Sequence, residues 1–170
     1  MRLLSNRLLS TRLLSTPLLS THLLSTLLLL CLIIPFSSCA NHDGHWVELA
    51  GKRYQVELAL DNASRTRGLM FRDQMPPDHG MLFLHDELAP QAYWMKNTKI
   101  ALDILYFDDE RKLVSQQRDV PPCTAGDRCP GYPSGRPALY VLELNAGQAA
   151  LLNLSNGAEL ILSPSIPASP

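Results

Sequence analysis

Between Arg67 and Phe107 the chain reads RGLMFRDQMPPDHGMLFLHDELAPQAYWMKNTKIALDILYF, its densest stretch of chemically unusual side chains. Arg67 and Arg72 flank a Gly-Leu-Met turn, and Trp94 precedes a Lys96-Asn97-Thr98 step. Asp103 lies inside the apolar run 100–105, and further on Glu143 interrupts the run 140–144 in the same way. A strand that carries a carboxylate into a core incurs a large cost unless a donor meets it. Arg67, Arg72 and Lys96 are the cations the sequence offers. One outcome is a structural ion pair that fastens a helix and turns to a sheet. The other is a cleft in which Arg67, Arg72, Lys96, Asn97, Asp103 and Glu143 converge beside Trp94. Such a cleft suits a small polar molecule or a sugar.

The methionines offer a second chemistry. Soft thioethers with imidazole bind Cu(I), and Met70, Met81 and Met95 with His79 or His85 could form such a site. Each of these methionines lies in an apolar segment, however, where a flexible thioether fills space. No dense Met/His cluster is present, so core packing is the expectation, with no resident metal or cofactor. His42 and His45 read as solvated residues of a polar tether. A catalytic reading has less to stand on: two carboxylates can cleave a glycosidic bond when correctly separated. The chain has no G-x-S-x-G elbow, H-E-x-x-H helix or P-loop.

Charge and cysteines bound the setting. Residues 1–38 hold three arginines and no acid, which leaves 12 of the 15 basic residues to the remainder against all 16 acidic ones, a formal charge of −4. That balance argues against a nucleic-acid partner, which calls for a basic face. The roughly 120 usable residues within the mature part suffice for one core. Residues 3–27 repeat LLSNR, LLSTR, LLSTP, LLSTH, LLSTL, a period of five that gives neither a helix nor a strand an apolar face. This is a low-complexity extension of a signal peptide whose apolar core, LLLLCLIIPF at 27–36, is too short to span a bilayer. The alternative is a membrane helix over 18–36, diluted by Ser20, Thr21, His22, Ser25 and Thr26.

Phe36-Ser37-Ser38-Cys39 resembles a lipoprotein processing box, with Phe36 where leucine is usual. Lipidated Cys39 would then anchor the chain, each buried methylene contributing about 0.8 kcal/mol. By resemblance to bacterial sorting rules, Ala40 after the cysteine points to the outer membrane, with the domain facing the periplasm. Once Cys31 is removed and Cys39 is acylated, Cys123 and Cys129 remain, and an oxidising envelope pairs them as a structural disulfide.

The elements that must position these residues follow from alternation and turns. Residues 46–49 and 54–60 alternate about a Gly-containing loop, as in a hairpin. Asp61 to Ser64 caps a short helix that runs to Met70. Strands are expected at 81–84, 102–107, 112–120, 138–144 and 158–162. Loops fall at 86–90 and 121–137, and a short helix at 146–154. The fold class is mainly β: a compact sandwich or barrel of about eight short strands with two short helices. The expected organisation is signal peptide 1–38, tether 39–45, one β domain 46–163 and a flexible tail 164–170.

Five ordered motifs carry a family resemblance: R-G-L-M-F-R at 67–72, G-M-L-F at 80–83, W-M-K-N-T at 94–98, Leu102-Asp103, and V-L-E-L-N-A-G at 141–147. From about Val47 to Leu162 the chain resembles the bacterial and archaeal family designated domain of unknown function (DUF) 192. The resemblance implies a compact β-sandwich-like barrel and brings no activity, substrate or catalytic residue. The expectation is therefore a lipid-anchored, non-catalytic envelope module that binds a small polar ligand or cell-wall component. A Cu(I)-binding protein and a purely structural lipoprotein are the alternatives.

Overall fold

The computed structural model describes residues 44–167. The expected signal peptide, the expected lipidation site Cys39, His42 and the last residues of the expected tail lie outside the described residues. Seven strands form one curled half-barrel sheet: β1 (Trp46–Leu49), β2 (Lys52–Ala59), β3 (His79–Trp94), β4 (Leu102–Phe107), β5 (Leu113–Val120), β6 (Gly131–Asn145) and β7 (Leu160–Leu162). Their order is β5-β4-β6-β3-β2-β1-β7. Two short α-helices, α1 (Asn62–Arg67) and α2 (Gln148–Leu151), accompany it. Among the described residues, no helix is long and apolar enough to cross a membrane.

The mainly β class is as expected, but the strands are longer. Residues 86–90, read as a loop, belong to β3, and the later part of the 121–137 excursion is the start of β6. The two strands form a 16-and-15-residue antiparallel pair. Register shifts between Leu84 and Ala89 and again between Pro90 and Ala92 absorb the prolines and charges that made these segments look like loops. Cys123 and Cys129 form the expected disulfide, with Cα atoms 5.9 Å apart. It closes the loop that carries a short 3-10 turn at Gly126–Arg128. His45 is not a free tether residue: its Nδ1 lies 3.0 Å from the Ser165 hydroxyl.

Apolar side chains cover both faces of the sheet. One cluster contains Leu82, Leu84, Leu105, Phe107, Leu142 and Leu144; the other contains Met81, Phe83, Ile104, Tyr106 and Val141. Alternation thus sends successive residues of β3, β4 and β6 into different cores. All six residues of β4 are buried, because chain covers the sheet on both sides. Part of the cover over the second face comes from the β2–β3 connection, which contributes Leu69 and Met75; Met95, Ile100 and Cys123 from later loops add to it. β2 and β3 pair in parallel, which requires a crossover of a dozen or more residues. Residues 60–78 supply it, and α1 rides in it.

Asp103 holds the first face together. Between Leu102 and Ile104 the β4–β5 register slips, and Asp119 in that bulge has φ +50. The Asp119 N–H, which the bulge removes from the ladder, donates to Asp103 Oδ1 at 2.8 Å, and the Ala149 N–H at the start of α2 donates to Oδ2 at 2.7 Å. Gly147, at φ +87, makes the turn that aims the Ala149 amide inward. Tyr54 and Lys52 both donate to Gln148 Oε1, at 2.9 and 2.8 Å, so α2 is also tied to β2. Burial first, then the Asp103 charge, pushes the Tyr54 hydroxyl up to about 12. The donors expected for Asp103 were Arg67, Arg72 or Lys96; backbone amides serve instead.

Asp103→Ala leaves two enclosed N–H groups without an acceptor and should lower the unfolding free energy by at least about 3 kcal/mol. Asp103→Asn retains one acceptor oxygen and should cost about half as much. Urea unfolding followed by far-UV circular dichroism measures both. Hydrogen exchange should accelerate first at Asp119 and Ala149.

Candidate functional site: a groove ending on a buried carboxyl

Glu143 lies on the opposite face from Asp103. In register, Ile104 pairs with Glu143 while Asp103 pairs with Leu144, so Glu143 shares its side with Met81 and Ile104. Gly80 permits the close approach of β3 there: a Cβ at this position would stand 2.6 Å from the Glu143 carbonyl oxygen and 2.7 Å from Leu144 Cδ2. Glu143 is 4% exposed. Among the described residues nothing donates a hydrogen bond to its carboxyl. No fully enclosed side-chain oxygen or nitrogen lacks a partner among them, so the Glu143 oxygens retain a sliver of accessible surface. That opening is a narrow slot of about 20 Å³, bounded by Gly68, Leu69, Met70, Phe83, Tyr93 and Thr98 among others. Burial pushes the Glu143 carboxyl up to about 8, which favours its protonated form at neutral pH.

A larger groove of about 560 Å³ adjoins the slot. Arg65, Thr66, Tyr93 and Trp94 line both. Its walls are α1 and the outer half of β3, with His85, Asp86 and Gln91 contributing polar atoms. Asp61 and Ser64 cap α1 reciprocally: the Ser64 N–H donates to Asp61 Oδ1 at 2.8 Å and the Asp61 N–H to Ser64 Oγ at 3.1 Å. None of the α1 residues is buried; Arg65 fastens the helix to the sheet. Its guanidinium donates to the Leu60 and Leu84 carbonyls at 3.0 and 2.6 Å, and to Asn62 and Asp86 at 2.7 and 2.9 Å. The Tyr93 hydroxyl lies 3.0 Å from His85 Nε2. Burial, then the nearby Glu143, raises the Tyr93 pKa, and burial with the Arg65 charge lowers that of His85.

The expected convergence therefore forms only in part. Glu143, Arg67 and Trp94 line the slot. Arg67 is exposed and makes no side-chain pair among the described residues. Arg72 is engaged with Glu57 in a two-pronged pair, both contacts 2.6 Å. Lys96 pairs with Asp127 and stands 4.8 Å over the Trp94 ring. Asn97 acts through its backbone: at φ +56, its carbonyl accepts from the N–H of Phe71 at 2.8 Å, itself at φ +65. This bond joins the R-G-L-M-F-R and W-M-K-N-T turns above the slot. Asp103 is separated by the sheet. Arg65, Tyr93 and Thr98 escaped the sequence reading. The Asp61/Ser64 box pointed to α1, but no local pattern shows which arginine turns inward.

The candidate copper residues are divided. Met81 and Met95 are buried in the second apolar cluster, and Met70 borders the slot. His79 is paired with Asp78, and His85 with Tyr93. Among the described residues, no group of three or more His, Cys, Asp or Glu side chains could hold a metal ion.

Fold and groove together define a small β half-barrel with one ligand-sized recess beside a buried acid. The chain belongs to the DUF192 family, described as "Uncharacterized ACR", whose model matches residues 45–162. A Sinorhizobium meliloti 1021 protein described as a "putative transcription regulator" is similar in structure, with a TM-score of 0.64 and 38% identity over 69% of this chain and 92% of that one. A protein of unknown function from Novosphingobium aromaticivorans DSM 12444 gives 0.63 and 31%, over 68% and 82%. Comparison with curated proteins finds no match.

Glu143 makes stability depend on pH in a defined direction. Its folded pKa, about 8, lies above the ordinary glutamate value of 4.5, so between these values the folded state binds more protons than the unfolded one. Stability from this group is complete below about pH 4.5 and falls as pH rises toward 8. Glu143→Gln removes the dependence. The stability of the variant relative to the parent should rise by several kcal/mol, on the order of 1.4 per pKa unit, from pH 5 to pH 8. Paired urea titrations check it; a constant difference would place Glu143 in water.

Proposed function

We propose that this protein is a lipid-anchored module of the bacterial envelope that binds a small polar ligand or cell-wall component without transforming it. One observation carries the binding reading: the groove of about 560 Å³ beside Trp94 has the size of a small-molecule site. Trp94 is 41% exposed there, an amphipathic platform of the kind on which a sugar ring stacks. The non-catalytic reading is supported by the separation of Asp103 and Glu143, since two-carboxylate chemistry needs both acids flanking one bond. A formal charge of −4 beyond residue 38 speaks against extending the description of the Sinorhizobium relative to this chain, because DNA binding rests on cations that neutralise phosphates. The anchor rests on the sequence alone, on the box that ends at Cys39.

Peptidoglycan fragments and simple sugars titrated into the full chain in detergent should quench or shift tryptophan fluorescence. Trp94→Ala should weaken binding about tenfold, in line with an aromatic contact worth about 1–1.5 kcal/mol, whereas Trp46→Phe leaves it unchanged. The binding reading fails if no compound perturbs either the fluorescence or the unfolding temperature. The anchor is checked separately. Cells fed a labelled fatty acid should incorporate it into the parent chain and not into Cys39→Ala, which should leave the membrane fraction.

A further inference from the structure

We propose that the slot over Glu143 is an ammonium site, which takes a primary amine borne by the polar ligand while the remainder of that ligand lies in the groove. The proposal rests on the groove reading and adds the ligand's chemical class. A nearly enclosed carboxyl with no donor among the described residues is a standing unmet demand for one. Neither arginine that borders the slot meets it: Arg65 is committed to four other acceptors, and Arg67 is exposed and makes no contact with the carboxyl.

Phe83, Tyr93 and Trp94 line the slot, and rings around an anionic terminus are the usual surroundings of a recognised ammonium. The Trp94 ring already attracts one cation of this chain, Lys96. Size selects the kind of amine: a slot of about 20 Å³ accepts one water-sized group, which admits –NH3+ and excludes a trimethylated head. The titratable groups that face Glu143 are Tyr93 from β3 and Tyr106 from β4. Burial and Glu143 hold both hydroxyls in the protonated form by raising their pKa values. Arg65 and Arg67 from α1 border the slot, so binding adds a third cation and depends on Glu143 becoming anionic. The protonated carboxyl gives its proton to the buffer as the ammonium enters, and a charge-assisted N–H···O contact replaces the O–H group.

Glucosamine titrated calorimetrically into the full chain at about pH 6.5, in two buffers of different ionisation enthalpy, should release close to one proton per molecule bound. N-acetylglucosamine, with the same ring and no ammonium, should bind at least tenfold more weakly and release none. Glu143→Gln should lose at least tenfold in glucosamine affinity, as expected for one hydrogen bond to a charged group. A measurement without mutation guards against a folding defect: glucosamine should move the 13C carboxyl resonance of Glu143 from its protonated to its ionised position. Equal binding of the two sugars with no proton release and an unmoved resonance overturns the ammonium site and leaves the groove reading intact. If neither sugar, nor any other compound of the fluorescence screen, binds, both readings fall.

Discussion

Asp103 and Glu143 sit on adjacent strands whose pairing sets Ile104, not Asp103, opposite Glu143. Side chains on a strand alternate between faces, so a one-residue offset in register separates two acids by the full thickness of a sheet. Both are buried, yet they meet different surroundings. On the Asp103 side the sheet meets a bulge and the start of α2, which supply backbone N–H groups. On the Glu143 side it meets the β2–β3 crossover, which supplies apolar cover and no donor. One carboxylate thereby becomes a structural fastener, and the other becomes the floor of a slot.

The sequence motifs gain physical content from this division. Leu102-Asp103 and the Ala-Gly of the run at 141–147 serve one purpose, because Gly147 turns the chain so that the Ala149 amide reaches Asp103. Gly80 lets β3 press against the β6 backbone at Glu143, where any Cβ would collide. The R-G-L-M-F-R and W-M-K-N-T turns close over the same acid, joined by the bond from Phe71 to Asn97, with both residues in left-handed backbone conformations. Such conformations cost on the order of 1–3 kcal/mol each and persist where the surroundings over-determine them. Three of the five motifs therefore bear on how Glu143, itself part of a fourth, is enclosed.

What the sequence made legible was what depends on local period. The β class, the α1 cap, β4 and the disulfide pair could all be read from alternation, turn residues and cysteine count. Long β3 and β6 could not, because bulges at Leu84–Ala92 break the alternation and place charges and prolines inside a strand. The donors of Asp103 are hidden for a different reason: backbone amides leave no mark on a sequence, whereas arginines such as Arg67 and Arg72 do. Arg72 answers to Glu57, and Arg65, which contacts four acceptors, lay in a helix with no buried residue. Parity was in principle available, since Asp103 and Glu143 each have a definite phase within their strands. The register between those strands is a property of the fold.

Stability alone gives no reason for an acid at position 143. Its neighbours Leu142 and Leu144 are fully buried, and an apolar side chain at 143 would fill the space beside Met81 and Ile104 without desolvating a carboxyl. The sheet instead carries a group whose ionisation is opposed by burial throughout the neutral range, and the surrounding cover stops short of sealing it. Asp103, in the same sheet, shows that the fold can supply a buried carboxyl with one backbone amide on each oxygen. Among the described residues Glu143 has no such provision, and that lack, together with the opening onto the groove, is what supports the proposed ammonium site. Local rules of burial are broken most often where a site has to be kept ready, and here the break, the aromatic walls and the groove coincide.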